Sequence, residues 1–276
     1  MTLVVAPKVL KRTVCLSQRD RQSSYLASNS ITEELSLPSP FTHYPCIPSP
    51  RPHQSSNMSL KPITLWGHDS GPNPWKVAMV LEELNVPYTH KMVEFPDMKK
   101  EPYVSINPNG RVPAIEDPNT GITLWESGAI IEYLVETYDK QHNISFAPGS
   151  KEYFEEKQWL YFQVSGQGPY FGQSVWFTRY HPEKLPSAVD RYVNEISRVS
   201  GVLDHALQGK EFLVGGRFSY ADAAFVTWYS ILPLFPDRFN LEADFPNLNA
   251  WLERIKARPA IAKILQDRDA AIKKDK

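Results

Sequence analysis

Hydrophobic and polar positions alternate between strand and helix patterns after the first sixty residues. The segment ITLWG predicts a short buried strand, and Val77, Val80, Leu81 and Leu84 recur at the spacing of one helix face. Further strands are predicted near YTHKMV, PAIED and ITLWE, and a second helix through ESGAIIEYLVETY. This order predicts an α/β domain over 61–145 with a mixed four-stranded sheet, of the thioredoxin-like kind.

The pattern changes beyond residue 150, where the periodicity is helical almost throughout. Proline and glycine signals such as LPSA, GKEFLVGG and ARPA separate the predicted segments. We therefore expect an all-α domain over 151–276. Its helices are predicted at about 151–178, 187–208, 220–232, 247–257 and 259–272.

The first sixty residues differ in composition from the rest. They hold ten serines and seven prolines up to Met58, without a sustained period, and such composition predicts a disordered extension over 1–60. Five basic residues in the first 21 against one acid indicate a mitochondrial transit peptide as one interpretation. We favour a dispensable tail, or an upstream start with Met58 as the biological start.

Composition and charge narrow the classes of function. The 276 residues are 42% hydrophobic with a formal net charge of -1, and no apolar run is long enough to span a bilayer. We therefore expect a soluble cytoplasmic protein without nucleic acid or membrane partners. The only cysteines are Cys15 and Cys46, so any thiol chemistry in the predicted domains needs a thiol from a substrate.

The first candidate site lies in HDSGPNPWKV, between the first strand and the first helix. Asn73 followed by Pro74 suits a helix N-cap with proline at the first helical position. An alternative is functional, because an amide donor at a helix N-terminus stabilises an anion such as a thiolate. A free thiol has a pKa of about 8.5, so a decrease of one or two units makes the thiolate abundant at neutral pH.

Two further candidates lie at the edges of the predicted strands. Pro113 in NGRVPAIED has two interpretations. It is an ordinary trans proline at the start of a strand. If its peptide bond is cis, the backbone N–H and C=O of Val112 point outward and can pair with an extended peptide. Glu126 and Ser127 in LWESGAII fall where a strand gives way to a helix. Ser127 is there as an N-cap, or the pair receives the carboxylate and the ammonium group of a substrate.

Taken together, the three segments resemble the glutathione site of cytosolic glutathione transferases, and most closely the Ure2-like group of fungi. The resemblance continues through FQVSGQGPYFGQSVWF and FSYADAAFVTW and covers about residues 62–265. It implies a thioredoxin-like glutathione-binding domain followed by an all-helical domain. It also implies a homodimer and glutathione as co-substrate.

The resemblance assigns roles to individual residues. It implies that Asn73 lies beside the glutathione sulfur, that Val112 and cis Pro113 contact the cysteinyl backbone, and that Glu126 and Ser127 hold the γ-glutamyl end. Arg111 and the loop lysines Lys99 and Lys100 are candidates for the glycine carboxylate. The sequence departs from other classes, with no tyrosine at the end of the first strand and no cysteine near it. Ser70 remains the alternative catalytic hydroxyl.

The helical domain adds a structural motif and several aromatic side chains. Ser219 and Asp222 have the spacing of a helix capping box, which we interpret as structural. Tyr161, Tyr170 and Trp176 are candidates for the cleft that takes an apolar electrophile. The seven histidines show no metal-binding spacing, so no metal is predicted.

The resulting functional prediction is an enzyme that adds the glutathione thiolate to small apolar electrophiles, in detoxification or fungal secondary metabolism. One alternative is a glutathione-dependent isomerase of a metabolite. Another is a non-catalytic Ure2-like regulator that binds glutathione. Only two asparagines, Asn29 and Asn57, precede Met58, so a prion-like extension is not supported.

Overall fold

The computed structural model describes residues 59–274, and the predictions for the first 58 residues, including both cysteines, lie outside them. The first domain contains four strands and three helices in the predicted α/β order. The strands are β1 Ile63–Gly67, β2 Tyr88–Met92, β3 Ala114–Asp117 and β4 Ile122–Trp125. The helices are α1 Pro72–Glu83, α2 Tyr103–Ile106 and α3 Ser127–Tyr138.

The four strands form one mixed sheet in the order β2, β1, β3, β4. Strand β1 pairs in parallel with β2, whereas β3 is antiparallel to both β1 and β4. A parallel pair needs a crossover between its strands, and α1 supplies it. The predicted mixed four-stranded sheet is therefore confirmed, while the short helix α2 lies in a segment that was predicted as a loop.

The second domain is helical throughout, as predicted. Its helices are α4 Lys151–Phe162, α5 Gly168–Val175, α6 Pro186–Ala206, α7 Tyr220–Val226, α8 Leu241–Asp244, α9 Pro246–Lys256 and α10 Pro259–Lys274. The predicted fold class is thus confirmed. None of the helices in the described part of the chain has the length and apolar character needed to cross a membrane.

Two predicted helices of this domain are interrupted. The segment 151–178 is α4 and α5 joined by a π-helical turn at Gln163–Gln167, with a second such turn at Trp176–Tyr180. Pro169 lacks the N–H that a regular helix requires, so the hydrogen-bond register changes beside it. Helix α7 likewise continues as a 3₁₀ helix, Thr227–Leu234, which contains Pro233.

Helix α1 lies between the sheet and the helical domain, so the two domains share one core. All eight residues from Pro74 to Leu81 are buried, and the helix packs against α3, α7 and α10. At its end, the guanidinium of Arg258 holds Glu83 with two hydrogen bonds of 2.8 Å. These contacts fix the position of the α1 N-terminus against the second domain.

The predicted capping box is confirmed at the start of α7. The backbone N–H of Ser219 donates to Asp222 Oδ2 at 2.9 Å, and Oδ1 accepts from Leu213 N at 3.0 Å and Trp251 Nε1 at 2.8 Å. The carboxylate is fully buried, and burial raises the pKa of Asp222 to about 6. It therefore anchors the helix whose 3₁₀ continuation reaches the interdomain cleft.

Candidate functional site

A cleft of about 620 Å³ opens between the two domains beside the N-termini of α1 and α3. One wall comes from the thioredoxin-like domain and the other from α5, its preceding π turn and the 3₁₀ helix. The first wall contains Asn73, Lys76, Asn107, Asn109, Arg111, Val112, Pro113, Glu126 and Ser127. The second contains Val164, Gly168, Pro169, Gly172, Gln173, Trp176 and Trp228.

Asn73 lies in the first turn of α1 and faces the cleft. Its interpretation as the N-cap is wrong, because the helix already begins at Pro72 with Gly71 in the cap position. Its side-chain Oδ1 instead accepts a hydrogen bond of 3.1 Å from Trp228 Nε1 in the other domain. The amide nitrogen, which is a donor, is then the group that Asn73 can offer to a ligand.

The loop before β3 brings Arg111, Val112 and Pro113 to the cleft, and the Val112–Pro113 peptide bond is cis. The carbonyl of Arg111 accepts two hydrogen bonds of 2.6 Å, from Tyr103 Oη and from Asn107 Nδ2. Tyr103 is buried, and burial raises its pKa to about 12. The hydroxyl is protonated at neutral pH, and its hydrogen bond to the Arg111 carbonyl helps to fix the loop.

Glu126 and Ser127 form the junction of β4 and α3 at the cleft. Ser127 is the first helical residue, so its interpretation as the N-cap is wrong, and Glu126 occupies the cap position with φ 71°. A positive φ is uncommon for a residue with a Cβ and is typical of functional sites. The N-terminus of the twelve-residue helix thus offers a partial positive charge beside an exposed carboxylate.

Lys76 is a cleft residue that the sequence prediction missed. It lies one turn after Asn73, is only 1% exposed, and donates from Nζ to Gln163 Oε1 of the helical domain. Burial lowers the pKa of Lys76 to about 7, against the opposing effect of the nearby Glu126 carboxylate. The available signal was one lysine within an otherwise apolar helical segment, PWKVAMVL.

Trp228 was also missed, although its segment carries the resemblance. Its ring is buried and packs edge-on against Phe171, with ring centroids 6.4 Å apart. A Cβ on Gly172 would lie 3.4 Å from this ring, so the glycine lets the indole approach α5 closely. Trp176 lines the same wall, as predicted for a cleft residue, and is 48% exposed.

Five of the candidate residues do not line the cleft. Ser70 is exposed beside His68, with Oγ and Nδ1 3.1 Å apart, and Lys99 is exposed on the loop near Gly110. Tyr161 points toward α3, where its hydroxyl lies 3.3 Å from Glu132. The ring of Tyr170 faces Tyr192 of α6 at 6.4 Å. Lys100, the other loop lysine, pairs with Asp97 at 3.0 Å.

The described residues offer no metal centre. Within residues 59–274, no group of three or more His, Cys, Asp or Glu side chains is arranged to hold a metal ion. Apart from the tryptophan indoles, the polar side chains at the cleft are amides, a hydroxyl, one carboxylate and two bases. Such a set suits an elongated zwitterionic peptide, because it offers partners for both carboxylates and ammonium groups.

Comparison with known proteins points in the same direction. Residues 61–136 match the family described as glutathione S-transferase, N-terminal domain, and residues 131–259 match glutathione S-transferase, C-terminal domain. The glutathione S-transferase-like protein gedE of Aspergillus terreus is 48% identical over 217 residues, covering 75% of this chain and 95% of gedE.

Two solved structures from Phanerochaete chrysosporium are similar to the chain. The glutathione transferase URE2P6, in complex with oxidised glutathione, has a TM-score of 0.73 and 47% identity, covering 76% of this chain and 98% of its own. Ure2p5, cocrystallised with 1-(S-glutathionyl)-2,4-dinitrobenzene, has a TM-score of 0.71 and 39% identity, covering 77% and 96%. Both structures contain a glutathione derivative, which agrees with the predicted ligand.

Proposed function

Given that the chain belongs to the glutathione S-transferase family, with Ure2-like relatives, we propose that it conjugates reduced glutathione to small aromatic or apolar electrophiles. The observation that carries the proposal is the convergence on one cleft of Asn73, the Val112–Pro113 pair and the Glu126–Ser127 pair. These residues come from three separate segments of the chain, and neither Asn73 nor Ser127 is the N-cap of its helix. Their shared position supports a common ligand.

The peptide would bind along the wall of the thioredoxin-like domain. The γ-glutamyl carboxylate lies at the α3 N-terminus and Ser127, its ammonium group pairs with Glu126, and the cysteinyl backbone pairs with Val112. Arg111 supplies a cation for the glycine carboxylate. The sulfur then lies near the amide of Asn73 and the N-terminus of α1.

The reaction would use this position to stabilise the thiolate. An amide donor and a helix N-terminus lower the pKa of the bound thiol, whose proton leaves to solvent. A sulfur lone pair attacks the electrophilic carbon, an S–C bond forms, and a leaving group such as halide departs with its bonding electrons. Trp176 and Trp228 would hold the electrophile close to the sulfur, and this proximity accelerates the reaction.

The proposal is tested with the full-length chain, reduced glutathione and 1-chloro-2,4-dinitrobenzene, while the aryl thioether is followed by its absorbance. We expect saturable turnover that decreases strongly in Asn73→Ala and persists in Ser70→Ala. Retention on immobilised glutathione without turnover of aryl halides or hydroperoxides would reject conjugation. That outcome would favour the isomerase or the regulatory function.

A further inference from the structure

The ammonium end of Lys76 is held by a chain of buried amides that crosses between the domains. Its Nζ donates to Gln163 Oε1, Gln163 Nε2 donates to Gln167 Oε1 at 3.0 Å, and Gln167 Nε2 donates to the Phe225 carbonyl at 3.2 Å. Both glutamines are fully buried and belong to the π-helical turn. We refer to Lys76, Gln163 and Gln167 as the amide relay.

The hydrogen bond from Gln167 to the Phe225 carbonyl fixes the orientation of both glutamine amides in the relay. The Phe225 carbonyl only accepts hydrogen bonds, so Gln167 must turn its NH₂ toward that carbonyl and its oxygen toward Gln163. Gln163 in turn presents its own oxygen to Lys76. The relay therefore points an acceptor at Lys76, a residue that lines the cleft.

Two charged groups from other elements line the cleft together with Lys76. Glu126 acts on its charge from the start of α3, and Arg111 lines the same cleft from the loop before β3. On its own helix the cleft neighbour is Asn73, which is neutral. Burial lowers the pKa of Lys76, and the Glu126 carboxylate raises it. Burial is the larger effect, so the pKa is lowered to about 7.

We propose that Lys76 is a cationic anchor for the anionic γ-glutamyl peptide of the proposed function, and that it takes up a proton from solvent when that peptide binds. A ligand bearing two carboxylates adds negative charge to a cleft where a buried amine is poised between its two states. The added anion favours the ammonium form. Binding and protonation of Lys76 are therefore linked, and each strengthens the other.

The test measures protons taken up during binding by isothermal titration calorimetry of the full-length chain. The ligand is S-hexylglutathione, whose blocked sulfur cannot release a proton, and the pH range is 6.5–8. Titrations in phosphate and in Tris, which differ in ionisation enthalpy, give the number of protons exchanged. We expect uptake of about half a proton near neutral pH and an affinity that falls as the pH rises.

Variants separate Lys76 from other groups. Lys76→Met should abolish the uptake, flatten the pH dependence and weaken binding about tenfold at pH 6.5, while Lys151→Met on exposed α4 should behave as wild type. Gln163→Leu keeps the lysine but removes its acceptor, and should shift the pH at which uptake is maximal.

The outcomes distinguish this inference from the proposed function on which it rests. Binding of S-hexylglutathione by the wild-type chain without proton uptake overturns the role of Lys76 alone. Equal uptake by wild type and a folded Lys76→Met variant does the same. Failure of the wild-type chain to bind overturns both proposals. If Lys76→Met does not fold, Gln163→Leu supplies the second test, because an unshifted uptake maximum in that variant would assign the proton to another group and overturn the role of Lys76.

Discussion

Trp228 donates from its indole Nε1 to Oδ1 of Asn73, an N–O distance of 3.1 Å that joins residues 155 positions apart. An indole N–H is only a donor, so the Asn73 amide must turn its oxygen toward the tryptophan. The NH₂ group of Asn73 therefore points away from the Trp228 Nε1, and Asn73 itself lines the cleft. The helical domain thus sets the orientation of a residue in the thioredoxin-like domain.

The first prediction concerns the effect of removing this hydrogen bond. Trp228→Phe keeps an aromatic ring but frees the amide of Asn73 to rotate, so we expect kcat to fall about five- to tenfold with a smaller change in KM for glutathione. The pKa of the bound thiol, followed by thiolate absorbance, should rise in the same variant.

Trp159→Phe is the matched control, because Trp159 packs against Phe162 and Phe225 away from Asn73. It should leave the thiol pKa at the wild-type value. An unchanged thiol pKa in Trp228→Phe would mean that the indole does not position Asn73.

The second prediction separates the two candidate groups at the sulfur. Asn73→Ala removes a donor at the cleft and should lower kcat about 10- to 100-fold, with less effect on glutathione affinity. Ser70→Ala should change kcat less than about twofold, because Ser70 is exposed and does not line the cleft. Steady-state kinetics of both variants tests the prediction. A larger loss of kcat in Ser70→Ala than in Asn73→Ala would identify Ser70 as the group that stabilises the thiolate.

These residues also show what the sequence could predict. Strand and helix periods located β1–β4, α1 and α3. The resemblance to glutathione transferases then pointed to the residues at their ends, whereas the cap interpretations of Asn73 and Ser127 were wrong. Lys76 was missed because its burial depends on Gln163, which lies 87 positions away in another domain. The orientation of Asn73 was missed for the same reason. Local periodicity carries no information about which distant element covers a side chain.

The third prediction concerns the ammonium partner. Glu126→Gln keeps the shape of the side chain but removes its charge, so the affinity for glutathione should fall about tenfold, whereas kcat at saturation changes little. Glu116→Gln on β3, which accepts from Trp66 at 2.7 Å outside the cleft, is the control. Binding measured by intrinsic fluorescence checks the prediction. Equal affinities for both variants would exclude Glu126 from the site.

The fourth prediction concerns Glu156, a buried carboxylate on α4 away from the cleft. Its Oε1 accepts from Phe146 N at 3.2 Å, while Oε2 has no partner among the described residues. Burial raises the pKa of Glu156 to about 7, against the effects of the Phe146 N–H, Arg217 and Lys157.

The sign of the pH effect follows from this shift. The folded pKa lies above the unfolded value, so the stability contributed by the protonated group is lost as the pH rises from about 4.5 through 7. Glu156→Gln avoids that loss. Its Tm relative to wild type should therefore increase by roughly 2–6 °C between pH 5 and pH 8. Glu155→Gln, at a half-buried position paired with Lys151, should show no such trend. A difference in Tm that stays constant with pH for Glu156→Gln would contradict the shift.

The last prediction concerns assembly, because the family leads us to expect a homodimer. Phe154 and Tyr161 lie two turns apart on one face of α4 and are 60% and 56% exposed, and Ile122 on edge strand β4 is 40% exposed. Both α4 and β4 contact α3, and exposed apolar side chains favour an interface. Phe154→Glu should therefore convert a dimer to a monomer at micromolar concentration in size-exclusion chromatography with light scattering.

Val202→Glu on α6, where Val202 is 38% exposed, should remain dimeric. A dimer that survives Phe154→Glu would place the interface elsewhere, since a buried carboxylate without a partner is too costly to keep.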